Sequence, residues 1–90
     1  MKIIKVGAVW CPGCIVMRPI WKRIEVENLW LNTEYFDFDE RKDVVELYNI
    51  KQGVLPVFIF LDEQGNELLR LTGEVSRERI LQAIHDFKDK

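Results

Sequence analysis

The chain has 90 residues and a formal net charge of −2, with 48% hydrophobic and 31% charged residues. That composition excludes a disordered chain and allows a single domain, residues 1–90, with one modest core. No basic patch points to nucleic acid, and no run approaches the roughly 18 apolar residues of a membrane span. The N-terminus lacks the apolar run and cleavage site of a signal peptide, so a cytoplasmic location is expected.

Ile3–Val9 is apolar on both faces except at Lys5, as in a central strand covered from both sides. Alternation puts Lys5 on one face with Ile3, Gly7 and Val9. A buried ammonium needs a partner, and Asp37 on the neighbouring strand is the first choice. The alternative is a lysine stem lying along apolar surface with its head in water.

Trp10-Cys11-Pro12-Gly13-Cys14 follows and opens a helix. Cys11 falls at the N-cap, and Pro12 falls at the first helical position, where its missing N–H has no partner to lose. Met17, Ile20, Trp21 and Ile24 recur at helical spacing and form one buried stripe. Pro19 predicts a kink near the second turn. The helix should fade between Glu27 and Leu31.

Glu34–Asp39 alternates and reads as a second strand, parallel to the first because a crossover helix separates them. Arg41–Asn49 reads as a short helix, and Gly53 and Pro56 punctuate the loop after it. Val57–Leu61 is an apolar strand, Asp62–Gly65 a turn and Asn66–Leu71 the hairpin partner. Gly73 ends that strand. Ser76 caps a last helix with Ile80, Leu81, Ile84 and Phe87 on its inner face. The order β-α-β-α-β-β-α predicts an α/β fold, a four-stranded mixed sheet with helices on both faces.

Cys11 and Cys14 are the only cysteines. Their spacing lets two sulfurs meet across one helical turn. A sulfur at a helix N-terminus meets unpaired N–H groups and the positive end of the dipole, which favour a reactive thiolate. A purely structural disulfide here would constrain little chain entropy. A zinc site would need more ligands than His85 supplies, and His85 falls on a solvent-facing position of the last helix. No metal and no cofactor are expected, with an iron–sulfur cluster shared between two chains as the alternative. The acidic residues Asp37, Asp39, Glu40 and Asp43 fit no calcium loop and read as solvated charges.

The element order and its punctuation resemble the thioredoxin family, in a minimal form without the family's N-terminal strand and helix. Trp10-Cys11-x-x-Cys14 is similar to the active-site motif. Pro19 is similar to the proline that kinks the active-site helix, Leu55-Pro56 to the cis-proline loop facing the sulfurs, and Thr72-Gly73 to the glycine flanking the substrate groove. Two features depart from the pattern. The cysteines enclose Pro12-Gly13 rather than Gly-Pro, and Lys5 stands where thioredoxins keep a buried aspartate beneath the resolving cysteine. Lys5 is therefore a candidate for tuning the thiol pKa.

The resemblance implies a thiol-disulfide oxidoreductase that reduces protein disulfides. Cys11 would be the accessible nucleophile and Cys14 the shielded resolver. Trp10, Pro12, Leu55, Pro56 and Gly73 would line the substrate groove, with the Leu55 backbone free to pair with a substrate strand. It also implies disulfide-containing protein substrates, an external reductase or dithiol as reductant, and a monomer that binds neither nucleic acid nor membrane. Two other readings stay open: a non-catalytic binding module on the same fold, and a dedicated electron carrier for one partner enzyme.

Overall fold

The computed structural model describes residues 1–90. In chain order the elements are β1 (Lys2–Gly7), α1 (Pro12–Glu27), β2 (Asn32–Asp37), α2 (Lys42–Leu47), a 3-10 turn (Gln52–Val54), β3 (Val57–Leu61), β4 (Glu67–Thr72) and α3 (Arg77–Phe87). The strands form one sheet in the order β2-β1-β3-β4. β1 runs parallel to β2, with Lys5 opposite Tyr35 and Gly7 opposite Asp37. β1 and β3 are antiparallel, as are β3 and β4. This is the minimal mixed α/β sheet expected from the element order.

Strand alternation divides the core between the two faces of the sheet. Ile3, Phe58 and Phe60 point to one face and pack with Met17, Trp21 and Ile24 of α1 and Ile80, Ala83 and Ile84 of α3. Ile4, Val6, Val57, Ile59 and Leu61 point to the other and pack with Val44, Phe36 and Ile50. Every residue of β3 is buried, as its unbroken apolar run requires.

The starts of α1 and α3 follow from their caps. Cys11 accepts the N–H of Cys14 on its own sulfur at 3.3 Å, so a thiol serves as the N-cap of α1. Pro12 takes the first helical position, and the helix runs on through Pro19. Ser76 caps α3 by accepting the Arg79 N–H at 3.1 Å. In the β3–β4 turn, Asp62 accepts the N–H groups of Gln64 and Asn66.

α2 is shorter than the expected Arg41–Asn49 and β4 lies one residue later than expected; the two differences that bear on the site are in β1 and β2. β1 stops at Gly7, so the alternation ends before Val9, which is 74% exposed rather than inward. β2 begins and ends two residues earlier than its alternating pattern suggested. Phe38 already lies beyond the strand, although its N–H still donates to the Gly7 carbonyl at 2.7 Å. No helix is long and apolar enough to cross a membrane.

Candidate functional site

Both cysteines are free thiols at the head of α1. β1 delivers the chain to this point, and the Ala8–Trp10 turn lifts it out of the sheet so that Cys11 can start the helix. The Cys11 N–H donates to the Ala8 carbonyl at 3.2 Å, closing that turn. Ala8, Cys11 and Cys14 form a small buried cluster of their own, against which Leu55 and Phe38 pack.

Cys11 is 5% exposed and Cys14 7%. The expected contrast between an accessible and a shielded cysteine is therefore absent from this structure, because both thiols are folded into the head of the helix. The surroundings of Cys14 resist its ionisation. Burial, and then the hydrogen bond with Cys11, push the Cys14 thiol up to about 11; a backbone hydrogen bond from Ala8 and the charge of Arg18 oppose the shift. Cys14 is thus held as a thiol at neutral pH.

The other residues singled out in the sequence lie near the pair. The Leu55–Pro56 peptide bond is cis. A side chain at Gly13 would meet Pro56 Cδ at 3.2 Å and Glu74 Cγ at 3.5 Å, so the Pro12-Gly13 turn sits directly against Pro56 and Glu74. Gly73 has φ +76°, a left-handed conformation that favours glycine, and its N–H donates to the Pro56 carbonyl at 2.8 Å. That bond ties the end of β4 to the Pro56 loop. The Leu55 N–H reaches the Gln52 carbonyl only at 3.5 Å, a weak bond. Trp10 is 46% exposed beside Cys11, with its indole N–H donating to Asp39 at 2.6 Å and its ring edge-on to Phe38.

Lys5 does point to the α1 face, but its partner is Glu25, not Asp37. Position along the sheet explains the difference. Asp37 stands opposite Gly7, two residues beyond Lys5, whereas Glu25 of α1 reaches Lys5 directly. Glu25 also accepts the Thr33 hydroxyl at 3.0 Å, and the Lys5 ammonium lies 5.5 Å from the Trp21 ring. The cation whose charge reaches Cys14 is Arg18, one turn along α1.

Three residues of the site escaped the sequence reading. Arg18 is one helical turn after Cys14, a spacing that could have flagged it. A β-carbon on Gly7 would lie 3.0 Å from the Cys14 sulfur and 3.1 Å from the Tyr35 hydroxyl, so Gly7 leaves room for both Cys14 and Tyr35. Burial, followed by the charge of Asp37, raises the Tyr35 phenol above its ordinary value and keeps it protonated. Glu74 comes to the site only through the fold. No cluster of three or more His, Cys, Asp or Glu side chains is placed to hold a metal ion.

Comparison with known proteins places this geometry. No curated protein matches the sequence. Among solved structures, a thioredoxin from Nicotiana alata is similar, with TM-score 0.86 and 23% identity over 96% of this chain and 71% of that one. A thioredoxin from Trypanosoma brucei brucei superposes with TM-score 0.85 and 22% identity, covering 99% of this chain and 75% of its own. Fasciola hepatica thioredoxin gives 0.85 and 20%, covering 96% and 79%. At these identities the likeness establishes the fold. The family model described as thioredoxin matches residues 1–84. With nearly its whole length under that model and Cys11 and Cys14 in the active-site position, the chain belongs to the thioredoxin family.

Proposed function

We propose that the chain is a thiol-disulfide oxidoreductase that reduces protein disulfides. The thioredoxin fold with its adjacent cysteines supports a redox role. The observation that carries the finer reading is the Cys11 sulfur at the N-cap of α1, accepting a backbone N–H. A thiolate there gains the helix dipole and a ready donor.

Cys11 attacks one sulfur of a substrate disulfide, forming a mixed disulfide and expelling the other substrate sulfur as a thiolate. Cys14 loses its proton to solvent and attacks the Cys11 sulfur. The substrate leaves fully reduced, and the Cys11–Cys14 disulfide remains. An external dithiol or reductase resets the pair. The weakly bonded Leu55 N–H and the exposed Trp10 offer an extended substrate segment a backbone donor and an apolar contact. Pro12, Pro56 and Gly73 complete the rim.

The test is insulin reduction driven by dithiothreitol. The wild-type chain should accelerate it well above the dithiothreitol background, and Cys11→Ser should abolish the acceleration. A wild-type chain no faster than background would leave a binding module as the better reading.

A further inference from the structure

Gly73 sets the course of the chain where β4 leaves the sheet. Its left-handed backbone, with φ +76°, and its N–H bond to the Pro56 carbonyl at 2.8 Å hold the next residue, Glu74, at the head of α1. A β-carbon built on Gly13 would lie 3.5 Å from Glu74 Cγ and 3.8 Å from one of its carboxylate oxygens. Glu74 therefore lies against a residue that stands between the two cysteines. It is exposed and pairs with no cation of this chain. Asp39, the carboxylate beside Trp10, is already engaged by the indole N–H at 2.6 Å.

Cys11 is two residues from Gly13, and two residues of chain span at most about 7 Å. A long cationic side chain next to a substrate cysteine docked on Cys11 is thus within reach of the Glu74 carboxylate. An anionic one meets a like charge in the same place. A charge contact at a rim acts on encounter and on the choice of partner, even where it adds little affinity.

We propose that Glu74 selects the substrate: disulfides flanked by lysine or arginine are favoured over those flanked by acidic residues. The proposal rests on the disulfide-exchange reading above and narrows its substrates to basic segments. The competing role is structural. The first turn of α1 contains no acidic residue, and a carboxylate brought to a helix N-terminus is stabilising on its own account. That role moves stability and leaves the choice of substrate untouched.

The test uses Cys14→Ser protein, in which the Cys11 thiolate displaces one half of a disulfide and exchange halts at the mixed disulfide. Two peptides of one composition, each with a single cysteine, are supplied as their symmetric disulfides. One carries lysine beside the cysteine and glutamate at the far end, and the other exchanges the two. A neighbouring cation also makes a thiol a better leaving group. Each rate constant of adduct formation is therefore divided by that of dithiothreitol with the same disulfide. The normalised rate should be about threefold to tenfold higher for the lysine-flanked peptide at low salt, and the two rates should converge in about 0.5 M salt. Adding Glu74→Gln should remove the preference, and Glu74→Lys should invert it. Equal normalised rates with Glu74 present, or a preference undiminished by Glu74→Gln, would overturn the assignment and leave the exchange reading standing. Absence of any adduct on Cys11 with either peptide would overturn both.

Discussion

Lys5 on β1 and Glu25 near the end of α1 form an ion pair across the sheet–helix interface, with side chains 15% and 31% exposed. The pair joins the strand that leads to Cys11 with the far end of the helix that Cys11 begins. It occupies the strand position where the family keeps a carboxylate, yet its ammonium is turned to Glu25 rather than to the sulfurs.

Lys5→Met should therefore act on stability. It leaves Glu25 half-buried with only the Thr33 hydroxyl as donor. A loss of about 1–3 kcal/mol is expected, measured as a lower urea midpoint with an unchanged slope. Glu25→Gln in the same chain should recover part of it. The pH dependence of Cys14 alkylation should stay where it is, since Arg18 is the cation acting on that thiol. A displaced Cys14 profile in Lys5→Met would show that Lys5 does tune the pair.

Gly7 is required by crowding. A methyl group there would press on the Cys14 sulfur at 3.0 Å and the Tyr35 hydroxyl at 3.1 Å. Gly7→Ala should destabilise the reduced protein by about 1–3 kcal/mol. Adding Tyr35→Phe removes the phenol contact but not the sulfur contact, so the double variant should recover part of the loss. Full additivity of the two substitutions in denaturation would contradict this placement of Tyr35.

The raised Cys14 pKa has a consequence for stability against pH. The folded state holds the thiol proton to about 11, against an ordinary value of 9.0. The folded state thus binds that proton more tightly than the unfolded chain does. The associated stability is complete below pH 9 and is lost as pH rises from 9 toward 11. Wild-type protein kept reduced should lose stability over that window faster than Cys14→Ala, which has no such thiol. Parallel stability curves for the two proteins would count against a suppressed ionisation at Cys14.

Asp39 holds Trp10 by one hydrogen bond at the exposed rim. Asp39→Ala should cost about 0.5–1.5 kcal/mol. It should also slow reduction of protein disulfides more than reduction of a small disulfide, because only the larger substrate reaches Trp10. Equal slowing for both substrates would place Trp10 outside the groove.

The parts of this molecule governed by local chemistry were legible in the sequence. Cys11 and Ser76 announce their helices as caps, Pro12 marks the first turn, and the unbroken Val57–Leu61 run marks a strand covered on both faces. The strand ends were less legible. Val9 and Phe38 continue the apolar patterns of β1 and β2 after the chain has left the sheet to build the site. Contacts that only the fold creates were not readable at all. The Lys5–Glu25 pair spans 20 residues and depends on where α1 crosses the sheet, and Glu74 meets Gly13 only because the Gly73–Pro56 bond holds the end of β4 at the helix head. Equal burial of the two cysteines is also a tertiary result, since the motif alone suggests an outer and an inner thiol.

The central claim is that Cys11 attacks and Cys14 resolves. Its most direct measurement uses Cys14→Ser protein incubated with a peptide containing one disulfide, followed by mass spectrometry of the trapped adduct. A stable mixed disulfide should accumulate on Cys11, and wild-type protein should show none at equal times because Cys14 releases it. Failure of Cys14→Ser to form any adduct, with Cys11→Ser trapping the peptide on Cys14 instead, would contradict the account.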